Sequence, residues 1–253
     1  MAEPILQLRD VSIAFGGLRA LQHVSLDVAA GTLTALIGPN GAGKTTLFSI
    51  ISGFLWPDDG RIRFDGRDIT RQPPHRSARE GLTRTFQIVQ PFAAQTVREN
   101  IAVGAHLHEP RRAPALSAAA EVAERVGLAS QLDKRAADLT VAGRKRLELA
   151  RALATRPRML LLDEVLAGLN PQEIGEMIPV VRGIAASGVT VLMIEHVMQA
   201  VMNLAEHVWV LSQGRLIAAG TPAEVTSATA VIEAYLGHGT AARLKQMSAG
   251  GPA

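Results

Sequence analysis

Polar and apolar residues alternate along residues 5 to 28, with Ile5, Leu6, Leu8, Val11, Ile13 and Phe15 followed by Val24, Leu26 and Val28. A period of two marks half-buried antiparallel strands, and Gly16-Gly17 supplies a turn between them. Trp56-Pro57-Asp58-Asp59-Gly60 is another turn, followed by Ile62, Phe64 and the Asp65-Gly66 turn. These strands are expected to form a small sheet beside the segment they flank. Three further runs are apolar without alternation: Leu33 to Ile37, Met159 to Leu162 and Val189 to Ile194. Such runs fit strands buried on both faces, as in a parallel sheet. Val208 to Leu211, Gln213-Gly214 and Leu216 to Ala218 read as a hairpin.

From about Val97 to Thr155 the pattern turns helical, with Ala, Glu, Arg and Leu dominant and Leu147, Ala150, Leu153 and Ala154 at helical spacing. His106 to Pro114 carries two prolines and two arginines and reads as a surface connection. Thr221-Pro222-Ala223-Glu224 has a capping-box pattern with Pro at the first helical position, and a last helix is expected from Ala228 to Leu236. The reading is an α/β fold with residues 1–237 as a single domain. It has a mostly parallel sheet, an antiparallel β subdomain and a helical subdomain inserted at about 97–155. Residues 238–253, rich in Gly and Ala, are expected to be a flexible tail.

Gly38-Pro39-Asn40-Gly41-Ala42-Gly43-Lys44-Thr45-Thr46 joins the first buried strand to a helix expected over Lys44 to Ser52. It fits G-x-x-x-x-G-K-[ST], which makes the core a P-loop NTPase core: the glycines let backbone N–H groups close around a polyphosphate. Lys44 is a mobile charge for the β- and γ-phosphates, Thr45 a hydroxyl for Mg2+, and the helix N-terminus faces the anion. The other two buried strands deliver Asp163-Glu164 and Glu195-His196. Parallel sheets place their chemistry at the carboxyl ends of strands, so the loop, the acids and His196 are expected on one rim.

Composition narrows the classes further. The 253 residues are 47% hydrophobic and 19% charged, which suits a globular core and argues against disorder. Without cysteine there is neither a disulfide nor a thiolate metal site. Met1-Ala2-Glu3-Pro4 shows no signal-peptide pattern, and no apolar run approaches the ~20 residues of a membrane span, so membrane contact is expected to be peripheral. Arg61, Arg63, Arg67, Arg71, Arg76, Arg79 and Arg84 crowd one stretch within a net charge of +3. Phe64, the one aromatic among them, belongs to the strand pattern and makes no base-stacking platform, so they read as a solvated face near anionic headgroups or a partner.

These residues together resemble the ATP-binding cassette ATPases over nearly the whole chain. Gly38 to Thr46 is similar to their Walker A loop, and Met159 to Glu164 to their Walker B strand with its catalytic carboxylate. Gln87 in Thr85-Phe86-Gln87 resembles the Q-loop glutamine, His196 the switch histidine, Ala167-Gly168-Leu169-Asn170 the D-loop, and Phe15 the aromatic stacked on adenine. Alone, each has a plain reading: Phe15 as core, Gln87 as a surface polar residue, His196 as a satisfied histidine, Asp163-Glu164 as a helix cap. Arg84 to Gln87, Ala167 to Pro171 and Val231 to Gly237 look most like importers of branched-chain amino acids.

The resemblance implies ATP hydrolysis coupled to transport, with ATP and Mg2+ as cofactors and Lys44, Glu164 and His196 as catalytic residues. Phe15, Gly38 to Thr46 and Gln87 would bind nucleotide, and Thr45, Gln87 and Asp163 would serve the metal. The implied partners are a second ATPase subunit (the same chain or a related one), membrane permease subunits and, indirectly, a solute-binding protein, at the cytoplasmic face of the membrane and without nucleic acid. The family's Leu-Ser-Gly-Gly-Gln signature appears as Leu139-Thr140-Val141-Ala142-Gly143, so Val141 and Ala142 stand where glycines allow close approach. Thr140, Val141, Ala142 and Gly143 would face the partner's ATP, while Arg144 and Lys145 read as solvated. Val165 replaces the usual Pro after the catalytic Glu. A cassette ATPase acting on nucleic acid or ribosomes, and a GTPase or small-molecule kinase, stay open at this point.

Overall fold

A computed structural model describes residues 4–236. The strands are β1 (Pro4–Phe15), β2 (Leu18–Ala29), β3 (Leu33–Ile37), β4 (Asp59–Phe64), β5 (Arg67–Asp68), β6 (Leu82–Arg84), β7 (Met159–Asp163), β8 (Thr190–Ile194), β9 (His207–Ser212) and β10 (Arg215–Gly220). The helices are α1 (Lys44–Ile51), α2 (Pro74–Arg79), α3 (Val97–Ala105), α4 (Arg112–Arg125), α5 (Val141–Leu153), α6 (Pro171–Ala186), α7 (Met198–Leu204), α8 (Pro222–Ser227) and α9 (Thr229–Leu236). The tail expected at 238–253 lies outside the described residues.

Two sheets form. One is antiparallel, in the order β2-β1-β4-β5; the other runs β10-β9-β3-β8-β7-β6. Within the second, β3, β6, β7, β8 and β9 are parallel and β10 is the antiparallel edge. The unbroken apolar runs have the cause inferred from sequence. On β7, Met159 and Leu161 face one apolar layer while Leu160 and Leu162 face the other. The first layer holds α1 and the antiparallel sheet, with Phe48, Leu8 and Ile62; the second holds α3 to α7, with Ile101, Leu147 and Val181. α3, α4 and α5 lie between β6 and β7 in the chain, and their apolar side chains run on into this second layer without a break.

Three local differences from the sequence pattern have simple causes. α4 begins at Arg112, inside the stretch read as a connection, because Pro114 lies in its first turn, where no intrahelical N–H is needed. β6 is too short to show a period of its own, and α6 was not read from the pattern at all. α6 starts from a reciprocal cap in which Asn170 accepts from the Glu173 N–H and Glu173 from the Asn170 N–H.

One carboxyl is built into the core at the end of β8. Glu195 is 2% exposed, and its Oε1 accepts the Leu166 N–H at 2.9 Å, tying the segment after β7 to β8. Burial pushes its pKa up to about 7 from 4.5, and the charge of Glu164 adds to this. The Leu166 and His196 N–H groups and Lys145 oppose the rise.

Two outcomes follow from this packing. Leu161→Ala removes a fully buried side chain between α1 and the sheet and should cost about 2–5 kcal/mol in urea unfolding. Because Glu195 holds its proton more tightly folded than unfolded, stability should fall as pH rises from 4.5 to about 7 and level off above. Glu195→Gln keeps an acceptor for Leu166, and urea titrations across that window should show the slope reduced, with a gain on the order of 3 kcal/mol at the alkaline end.

Candidate functional site

β3 ends at Ile37 and the chain enters the phosphate loop through two glycines that no other residue replaces. A Cβ on Gly38 (φ 153°) would stand 2.0 Å from the Leu211 carbonyl oxygen, and one on Gly43 (φ 106°) 2.6 Å from that of Ala20. The loop is therefore wedged against β2 and β9, and α1 starts at Lys44 with its N-terminus aimed into the cleft. The Lys44 ammonium bonds the Gly38 and Pro39 carbonyls at 2.6 and 2.9 Å, which holds it across the loop mouth. Burial draws its pKa down, against the pull of Glu164 and Asp163.

β8 lies between β3 and β7, so three neighbouring strand ends carry the loop, His196 and the Asp163-Glu164 pair. At ordinary strand spacing the outer two are roughly 10 Å apart, a gap a triphosphate can bridge. They open on a cleft of about 740 Å³ lined by Phe15, Asn40 to Thr46, Gln87, Glu164 and His196, with Gly38 and Pro39 behind the loop. Phe15 is 48% exposed, at the end of β1, which suits a stacking platform and not a core residue. Gln22, Gln213 and Gly214 also line the cleft, a contribution the motifs did not reveal.

Glu164 is the centre of the polar network. Its backbone is left-handed (φ 50°), which turns the side chain away from the strand direction and into the cleft. His196 Nε2 donates to one carboxylate oxygen at 2.5 Å and Gln87 Nε2 to the other at 2.7 Å. The remote stretches around 87, 164 and 196 thus meet as expected.

Asp163 differs from its expected surroundings. It lies off the main cleft wall, in an adjoining cleft shared with Thr45 and Gln87. Its Oδ2 accepts from Arg84 Nη2 at 2.7 Å, with side chains 1% and 7% exposed. Arg84 therefore does not belong to the solvated arginine face. It is clamped by Ser49 Oγ at 3.0 Å and lies between the rings of Phe48 and Phe86. A buried carboxylate needs such a counter-charge. Asp163 Oδ1 stays buried without a hydrogen-bond partner. An orphan carboxylate oxygen beside the Thr45 hydroxyl and the Gln87 amide is a hard-oxygen donor set that fits Mg2+.

Thr140 to Gly143 stand apart from both clefts. Thr140 caps α5, its hydroxyl accepting the Gly143 N–H at 3.1 Å, and Val141 is exposed beside it. Gly143 is buried in the first turn against Leu139, so it serves close packing and takes no left-handed turn. Arg144 is exposed and folds back onto the Leu139 and Ala137 carbonyls. Lys145 is not solvated: it is 7% exposed and reaches the Glu164 and Gln87 carbonyls. Glu148, whose pKa is raised by burial, accepts the Phe86 N–H, and Arg151 donates to the Gln90 carbonyl at 3.0 Å.

Known proteins agree with this geometry. Residues 21–167 match the family model for ABC transporters, and residues 215–241 that for branched-chain amino acid ATP-binding cassette transporters. The chain is 40% identical to the high-affinity branched-chain amino acid transport ATP-binding protein BraF of Pseudomonas aeruginosa, over 94% of this chain and 99% of that one. It is 38% identical to the corresponding LivG of Escherichia coli K12, with the same coverage. Among solved structures, the ADP conformation of an ATP-binding cassette of an ABC transporter superposes with a TM-score of 0.85 at 33% identity, over 94% of this chain and all of that one. These relatives do not favour the nucleic-acid reading. A phosphate loop, the Asp163-Glu164 pair and His196 on adjacent strand tips, with this likeness along nearly the entire length, establish that the chain belongs to the ABC transporter family as one of its ATP-binding, ATP-hydrolysing cassettes.

Proposed function

We propose that this chain powers an importer of branched-chain amino acids or a related small solute by hydrolysing ATP at the cytoplasmic face of a membrane. The carrying observation is Glu164, held between His196 and Gln87 on the same cleft as Lys44. In this reading Phe15 stacks on adenine, and Lys44 with the loop N–H groups of Gly38 to Thr46 grips the phosphates. Thr45, Gln87 and Asp163 would hold Mg2+, which when bound would neutralise phosphate charge. Glu164 would take a proton from the attacking water on a lone pair that its His196 and Gln87 hydrogen bonds leave free, since each carboxylate oxygen has two. A γ-phosphate offers His196 Nε2 another anionic acceptor, so substrate arrival would draw the imidazole off Glu164 and leave the base more strongly proton-accepting.

The second half of each site comes from a second ATPase subunit, a copy of this chain or a related one. Thr140, Val141, Ala142, Gly143 and the α5 N-terminus face that subunit's ATP. Residues about 97–155 move as a helical subdomain with the Q-loop. Among the described residues no helix is long and apolar enough to cross a membrane, so passage of solute belongs to permease subunits fed by a solute-binding protein. Exposed Phe54 and Phe86, packed edge to face next to Gln87, support permease docking there.

Glu164→Gln should retain ATP binding by titration and reduce turnover by roughly 1,000-fold or more, since the amide cannot take the water's proton. Lys44→Ala should lose nucleotide affinity in the same titration. Turnover at the parent rate in the first, or parent affinity in the second, would reject the assignment.

A further inference from the structure

One face of α5 writes itself onto the backbone of the Q-loop. Lys145, Glu148 and Arg151 recur every three residues and meet Gln87, Phe86 and Gln90 respectively. Lys145 does more than its two neighbours. Its Nζ donates to the Glu164 carbonyl at 3.1 Å and sits 3.4 Å from the Gln87 carbonyl. Those are the two residues whose side chains bond each other at 2.7 Å. A single buried ammonium therefore ties the main chains of the base and of its glutamine partner to one helix. Its charge is felt by both Glu148 and Glu195. The Glu164 backbone is left-handed, a conformation that needs outside support in a non-glycine residue.

We propose that Lys145 is a positioning residue that fixes Glu164 and Gln87 relative to the N-terminus of α5, so that engagement of that terminus is felt at the catalytic carboxylate of the same chain. α5 is one rigid helix of 13 residues, capped by Thr140, with Lys145 one turn inside its start. A shift of the capped end carries the ammonium with it, and both carbonyls follow. The inference rests on the proposed ATPase reading, in which the α5 terminus faces a second subunit's nucleotide. It adds a direct mechanical link from that contact to this chain's own base. An ammonium suits the task, because its three N–H donors serve two carbonyls from one atom without adding an acceptor that would compete for Gln87.

Two measurements on the full chain test the brace. Hydrogen exchange needs no hydrolysis: Lys145→Met, close in volume, should speed exchange in residues 86–90 and 164–168 and leave β1, β2 and β4 unchanged, and Lys145→Arg should restore protection. Unaltered exchange in both segments would overturn the proposal. In steady-state assays Lys145→Met should lower kcat by roughly 10- to 100-fold with KM for ATP within about twofold, and Lys145→Arg should recover most of it. Equal kcat in parent and Lys145→Met, or a fall in KM and kcat shared equally by the Met and Arg variants, would overturn it too. If the parent itself turns over no ATP, the ATPase reading fails, while the exchange result still decides the brace.

Discussion

A parallel sheet covered on both faces leaves its strands no free side for chemistry, and that constraint arranges this molecule. Every side chain of β3, β7 and β8 is buried, and those of β7 go alternately to the helical layer and to the layer beneath the antiparallel sheet. Polar function can begin only where the strands stop. The sequence obeys this closely: Gly38 follows Ile37, Asp163 closes Met159 to Leu162, and Glu195 follows Ile194. Because β8 sits between β3 and β7, three such ends side by side make one rim, and the lysine, Glu164 and the imidazole meet there without any long excursion of the chain.

The same burial makes charge expensive, and the protein meets it with a partner at each position. Arg84 neutralises Asp163 while resting between two phenyl rings, and Lys145 gives its donors to main-chain carbonyls. Glu195 has a backbone donor and the weakest incentive to ionise. These groups ring the cleft one layer behind the residues that face it. Their role is to fix where those residues point, which is what a site built from six separate stretches of chain requires.

Most of the fold and the face of the site were legible in the sequence. Alternation fixed β1, β2 and β4, unbroken apolar runs fixed β3, β7 and β8, and loop spacing identified Lys44 and Thr45 without reference to any neighbour. What escaped were residues whose meaning depends on which way a side chain turns. Arg84 sits among other arginines, and only its phase betrays it: it shares one side of β6 with Leu82, and Phe86 repeats the spacing just past the end of a strand too short to show a period. Lys145 is flanked by Arg144 and Arg146, yet it extends the buried stripe of Leu149 and Ala152 back by one helical turn. In both cases a cation at an apolar phase was the available signal.

The Arg84–Asp163 pair bears on how loss-of-function variants of this protein are interpreted. Shortening residue 163 to alanine removes the carboxylate proposed to serve the metal, but it also leaves a guanidinium stranded in the interior with no anion to answer it. Interior cations abandoned in that way commonly cost 3–5 kcal/mol, a large part of the roughly 5–15 kcal/mol that keeps a domain folded. An inactive alanine variant would thus report on collapse of the scaffold as much as on catalysis. Asparagine, which keeps an oxygen for the guanidinium, separates the two.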